Sequence, residues 1–282
     1  MKEPLRKRRL PLWRKSLTKP IVIHDEAAYV GMARAGHVVA SILDDLCDEV
    51  QPGISTRDLD RLVEERIAHY GVRSATIGYR GYRHASCISV NHVICHGVPG
   101  NRKLREGDIL NIDVTIVCDG WFGDSSRMYA AGSPTIKARR LIRVAHEALF
   151  AGLAKVRPGN TFGDIGHAIE RHAAAHRMSS VKSFCGHGIG RQFHLPPEVA
   201  HFGRPGTGPV LRQGMMFTVE PMINLGRPEA RVLEDGWTAV TRDRKLSAQF
   251  EHTVGVTQDG CRIFTLSPAG RFYPTNFRAG RQ

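Results

Sequence analysis

"NIDVTIVCDGWFGDSS", residues 111–126, alternates like a β-hairpin yet carries two aspartates in its strands. Aspartate is among the residues that strands avoid. The Asp119-Gly120 pair between two apolar runs predicts a two-residue turn. With that turn, Cys118 faces Trp121, Thr115 faces Asp124 and Asp113 faces Ser126. Side chains alternate along a strand, so Asp113 and Thr115 share a face. Asp124 then lies diagonal to Asp113, at roughly 7–8 Å. Carboxylates held that close repel each other unless a proton or a cation lies between them. A solvated strand face with a chance pair of acids is the plainer alternative.

The surrounding sequence repeats itself. "QPGISTRDLDRLVEER" (51–66) resembles "RPGNTFGDIGHAIERH" (157–172) at an offset of 106 residues. Each has a Pro-Gly break, a Ser/Thr-x-x-Asp helix start and apolar residues at helical spacing. "LREGDILNID" (104–113) resembles "LRQGMMFTVE" (211–220) at an offset of 107. Two matches at nearly one offset predict a duplicated unit of helices and antiparallel strands.

The second match sets Glu220 where the first half has Asp113, and "SAQFEHTVGV" (247–256) adds Glu251 amid apolar alternation. Four strand-borne carboxylates from two related halves would thus converge on one cleft. Buried together without a counter-ion they would be prohibitively costly. A pair of divalent cations resolves the repulsion, and paired ions are a familiar hydrolytic device. A softer ligand is available in "FCGHGIGRQFHLPP" (184–197), where His187 sits between glycines that allow close backbone approach. His194 lies seven residues further on and need not bind the same group. Most of the fourteen histidines must be ordinary, and His24, His69 and His172 have no comparable setting.

The composition, 282 residues with 41% apolar and 24% charged, suits a soluble globular chain of one large domain or two lobes. No apolar run approaches the ~18 residues of a membrane span, and the basic N-terminus lacks the apolar core of a secretory signal. The six scattered cysteines contain no C-x-x-C pair and point to a reduced, cytoplasmic setting. The net charge of +13 is concentrated at the ends. Lys2, Arg6, Lys7, Arg8, Arg9, Arg14, Lys15 and Lys19 face only Glu3 in the first twenty residues, and Arg271, Arg278 and Arg281 make the other end basic. The N-terminal stretch reads as a foot for nucleic acid, a transit peptide or a solubilising arm.

Taken together, "ISVNHVICHGVP", "NIDVT…GDSS", "CGHGIGRQFH", "FTVEPM" and "SAQFEHT" resemble, in order and spacing, the signature segments of the type I (bacterial-type) methionine aminopeptidases, over residues 24 to 266. The resemblance implies an α/β (α+β) pita-bread fold: two pseudo-twofold-related halves, antiparallel sheet flanked by helices, around a central dimetal cleft. It implies metal ligation by Asp113, Asp124, His187, Glu220 and Glu251. Asp124 and Glu251 would bridge two divalent ions (Fe, Mn, Co or Zn), with Asp113 completing one and His187 and Glu220 the other. A hydroxide between the ions would attack the scissile carbonyl, with Glu220 as general base. His194 would polarise that carbonyl and His96 would stand near the scissile nitrogen. Tyr79, Tyr82, Cys87, Phe193 and Trp237 would form the methionine pocket, where aromatic rings and sulfur suit a thioether. Arg80 and Thr76 depart from the family, standing where relatives often carry His and Cys.

The expected substrates are peptides and nascent chains beginning with Met, preferring a small second residue. The enzyme is expected to be a cytoplasmic monomer without membrane contact. Its basic N-terminal stretch is either a contact for ribosomal RNA, where Trp13 could stack on a base, or a plain disordered arm, with a transit peptide as the third reading. The expected organisation is an N-terminal extension (1–20), a catalytic domain (21–266) and a basic C-terminal tail (267–282). One rival is an X-Pro peptidase or prolidase, but those usually carry a further N-terminal domain, and the "CHGVP" segment favours methionine. Another is a metal-free homologue that binds ribosomes or RNA, which would be expected to lose its costly acids.

Overall fold

In a computed structural model describing residues 20–274, the central hairpin pairs Ile109–Cys118 with Trp121–Ala130. The expected register holds: Cys118 opposite Trp121, Thr115 opposite Asp124, Asp113 opposite Ser126. Asp119 and Gly120 have φ of 49° and 79°. Two consecutive positive φ values give the turn whose twist matches the flanking strands, which is why Asp-Gly sits there. Ile109–Cys118 is buried almost throughout, because helix α1 (Glu26–Asp45) covers one face and the cleft the other. Ser86–Val90 and Arg73–Ser74 pair antiparallel with Ile109–Cys118 and complete the first sheet.

The duplication is present in three dimensions. Helix α2 (Thr56–His69) is capped by Ser55, and α4 (Phe162–Ala175) by Thr161 in a reciprocal capping box with Asp164. Gly53 N–H donates to the Leu104 carbonyl at 2.8 Å, and Gly159 N–H to that of Leu211 at 3.1 Å. These are the same contact at the offsets found in the sequence. Isolated bridges repeat the pattern, Ser55 with Lys103 and Thr161 with Val210. The glycines of both Pro-Gly breaks have positive φ, 98° and 88°, where a side chain would be strained.

Each half has its own core. Met32, Val39, Leu43, Leu59 and Ile112 anchor the first. Leu141 and Leu149 of α3 (Ile136–Leu153) pack with Ile165, Phe217 and Val254 in the second. The second half contains an antiparallel sheet ordered Cys261–Ile263, His252–Val256, Met216–Val219, Gly186–Gly188, Leu195–Val199. The halves are stitched at the cleft. Glu251 N–H donates to the Ser126 carbonyl at 3.0 Å, Asn111 Nδ2 to that of Gln249 at 2.8 Å, and Thr253 Oγ1 to that of Asp124 at 2.7 Å. Side chains on adjoining strands of different halves are thereby forced towards one another.

After the last strand the chain folds back on α1. Ser267 and the Ala269 N–H donate to Asp44, which also pairs with buried Arg127, and Arg271 pairs with Asp48 at 2.7 Å. The basic N-terminal residues from Lys2 to Lys19, with Trp13, and Arg278 and Arg281 lie outside the described residues.

Candidate metal centre and substrate pocket

Asp113 and Asp124 come from the two strands of the central hairpin, and Glu251 immediately precedes His252–Val256. Glu220 follows Met216–Val219, opposite Glu251 by continuation of the antiparallel register. His187 is the middle residue of Gly186–Gly188. A Cβ at Gly186 would come within 2.3 Å of the Thr218 carbonyl oxygen, and one at Gly188 within 2.1 Å of that of Pro196. The two glycines are therefore what let this strand lie close enough to deliver His187.

The side chains converge. Ligand atoms of Asp124, His187 and Glu251 all lie within 4.8 Å of one another. His187 Nε2 stands 3.5 Å from Asp124 Oδ2 and 3.8 Å from Glu220 Oε1. Burial, then Asp124 and Glu220, push Asp113 well above the usual carboxylate range. Burial and the neighbouring acids do the same to Glu251. Burial pushes Glu220 up to about 7 against the pull of His187. For His187, burial alone would lower the pKa, but Asp124 and Glu220 outweigh it and raise it. Two buried carboxylates, Asp124 and Glu251, two half-buried ones, Asp113 and Glu220, and one imidazole form a donor set whose repulsion a divalent cation relieves. His187 Nδ1 lies 3.1 Å from the Gly188 carbonyl, so a proton there leaves the Nε2 lone pair aimed at the acids.

Supporting contacts fix the carboxylates. Thr115 Oγ1 donates to Asp124 at 2.8 Å, and Thr218 Oγ1 donates to Glu220 at 2.8 Å while accepting the His187 N–H. Gln249 Nε2 lies 3.4 Å from Glu220 Oε2, and His201 Nε2 accepts the Glu220 N–H at 3.1 Å. The sequence placed Thr115 opposite Asp124 without giving it this supporting role, and it did not single out Thr218, Gln249 or His201. Nothing local marks Gln249 or His201.

All the expected site residues line one cavity of about 410 Å³. Asp113, Asp124, His187, Glu220 and Glu251 share it with His96, His194, Tyr79, Tyr82, Cys87, Phe193 and Trp237. The Tyr79 and Phe193 rings lie 5.0 Å apart, and Tyr82 and Trp237 4.9 Å apart. Burial, with His187 nearby, pushes His194 down to about 2, so it is neutral at ordinary pH. Burial also lowers His96, whose ring meets Phe184 edge-on at 5.6 Å. Phe184, Cys185 and Met222 add apolar and sulfur surface that the sequence did not single out. Arg80, at a φ of 50°, lays its guanidinium over the Tyr79 ring, and Thr76 Oγ1 donates to the His84 carbonyl. Both line the cavity.

The metallopeptidase family M24 profile matches residues 30–258. The methionine aminopeptidase of Rickettsia prowazekii (strain Madrid E) is 49% identical, covering 90% of this chain and 98% of that protein. The crystal structure of methionine aminopeptidase from Rickettsia prowazekii superposes with a TM-score of 0.87 at 48% identity, covering 88% of this chain and 100% of that one. The prolidase from Pyrococcus horikoshii OT3 shares the fold, with a TM-score of 0.68, but only 19% identity, over 86% of this chain and 63% of that one.

Proposed function

This chain belongs to the metallopeptidase family M24, among its type I methionine aminopeptidases, and from that membership we propose how its cleft works residue by residue. It is a divalent-metal-dependent aminopeptidase of pita-bread fold, a hydrolase that removes N-terminal methionine. The proposed ligands are Asp113, Asp124, His187, Glu220 and Glu251. Asp124 and Glu251 would serve both of two ions, with Asp113 holding one and His187 and Glu220 the other. The observation that carries this reading is the approach of Asp124, His187 and Glu251 to within 4.8 Å, on strands of both halves, in a cavity walled by aromatic rings and sulfur.

When bound, Fe, Mn, Co or Zn ions supply Lewis acidity and an activated water. Glu220 is assigned as the general base that takes a proton and returns it. Tyr79 Oη lies 3.1 Å from His194 Nδ1. Donation from the phenol leaves the neutral imidazole its Nε2–H, a donor for the developing oxyanion. His96 is assigned to the scissile nitrogen. Tyr79, Tyr82, Cys87, Phe193 and Trp237 hold the methionine side chain, in a space that favours a small following residue.

We place this work in the cytoplasm, on nascent chains, with the enzyme as a monomer. Among the described residues all six cysteines are free, which suits a reducing compartment. Among the same residues no helix is long and apolar enough to cross a membrane. The basic residues from Lys2 to Lys19 would add phosphate contacts at the ribosome, with binding that weakens steeply in salt. Co-sedimentation of the full chain and of one starting at Ile21, at low and high salt, tests that part. Equal sedimentation of both rules it out. The function itself is tested by incubating metal-reconstituted protein with Met-Ala-Ser and with Ala-Pro peptides. Release of the free N-terminal amino acid from the first and not from the second is expected, and preferential cleavage of the second overturns the reading.

A further inference from the structure

Away from the cleft, three side chains on the outer helices have the arrangement of a metal site. His172 on α4 and His176 at its C-terminal cap are four positions apart and share a helix face, with ring centroids 4.9 Å apart. Glu147 reaches across from α3, its Oε2 lying 3.2 Å from His172 Nε2 and 3.9 Å from His176 Nε2. One donor atom from each residue lies within 4.8 Å of the other two. Donors that sit about 2.0–2.2 Å from a tetrahedral zinc ion stand roughly 3.3–3.6 Å apart, so side-chain adjustments of about 1 Å would bring these three to that spacing. A hydrogen bond to Glu147 explains the place of His172. It does not explain His176, because 3.9 Å exceeds hydrogen-bonding range.

Two surrounding features fit a cation. Arg143 Nη1 donates to Glu147 Oε1 at 3.0 Å, which orients the carboxylate and leaves Oε2 turned to the imidazoles. The group also sits at the C-terminal end of α4, where the helix dipole favours positive charge. Arg143 and Arg140, which donates to the His176 carbonyl, oppose binding by their charge. The three ligand side chains are 26%, 30% and 36% exposed, so water screens that opposition. None of the three lines the catalytic cavity.

We propose that Glu147, His172 and His176 form a second metal site, for a borderline dication of the zinc class, that clips α3 to α4 on the outer face of the second half. Imidazole with a single carboxylate selects Zn²⁺, Ni²⁺ or Cu²⁺ over Mg²⁺ or Ca²⁺. Water completes the coordination. The ion stabilises the folded chain by an amount that grows with the logarithm of its free concentration above the dissociation constant, because the unfolded chain does not hold the three donors together. The His172-x3-His176 spacing is visible in the sequence, but the third ligand, Glu147, lies on another helix and is not.

Equilibrium dialysis of the metal-reconstituted enzyme against free Zn²⁺, followed by elemental analysis, tests the site. Wild type should hold one more zinc per chain than His172→Ala/His176→Ala, while both cleave Met-Ala-Ser at the same rate. Equal zinc content overturns the proposal. A second measurement needs no variant. Cu²⁺-loaded wild type should give an electron paramagnetic resonance spectrum with coupling to two imidazole nitrogens, whereas the catalytic set contains only His187. A spectrum showing at most one coupled imidazole also overturns it.

Discussion

Tyr79 and His194 form one unit: Oη lies 3.1 Å from Nδ1, and the rings stack with centroids 5.4 Å apart. If the phenol fixes the imidazole tautomer, Tyr79→Phe should lower kcat/KM for Met-Ala-Ser by about 1 kcal/mol, roughly fivefold. His194→Ala removes the donor itself and should cost about 10²–10³-fold in kcat with metal content unchanged. Steady-state kinetics with elemental analysis separates the two. Equal effects of both changes would mean that Tyr79 does more than orient.

Asp113→Asn and Glu251→Ala should each lose one or both ions and nearly all turnover, because the five proposed ligands form one coupled cluster. Chelation of wild type should have the same effect and be reversed by adding back a dication. If neither variant changes bound metal, the assignment of these acids is wrong.

Glu220 sets a pH dependence for the metal-free protein. Burial raises its pKa from 4.5 to about 7, so the folded state holds the proton more tightly than the unfolded one. Stability from this group is full below about pH 4.5 and is lost as pH rises through 7. His201 and His252, each held near 3 mainly by burial, act in the opposite direction. The informative quantity is therefore the difference between Glu220→Gln and wild type in chelator. It should grow in favour of the variant by about 1–3 kcal/mol between acid and pH 8. Urea denaturation across that range checks it, and a flat difference refutes it.

Cys87 is buried, stands opposite Asp113 in the antiparallel pairing and faces the cavity. Cys87→Phe should crowd the methionine pocket and raise KM for Met peptides by an equivalent of about 1–3 kcal/mol, the usual cost of overpacking. Unchanged kinetics would remove Cys87 from the pocket.

Arg127 is 2% exposed and its partner Asp44 6%, and Asp44 also accepts from Ser267 and the Ala269 N–H. Asp44→Ala leaves a guanidinium buried without its counter-charge and frees the chain after Thr265. A loss of about 3–5 kcal/mol is expected in urea unfolding.

The sequence by itself determined the hairpin and the duplication, and it singled out the acids that line one cavity. Each of these depends on local rules: the backbone that Asp-Gly adopts, the two-residue period of a strand, the spacing of a helix cap. The offsets of 106 and 107 residues carried the pseudo-symmetry because both halves obey the same local rules. Only the tertiary structure decided how the halves approach, through contacts such as Glu251 N–H to the Ser126 carbonyl. It alone revealed Gln249 and His201 beside Glu220, and Glu147 beside His172 and His176. Those partners lie on different elements, and no periodicity in a chain records which surfaces hydrophobic burial will press together.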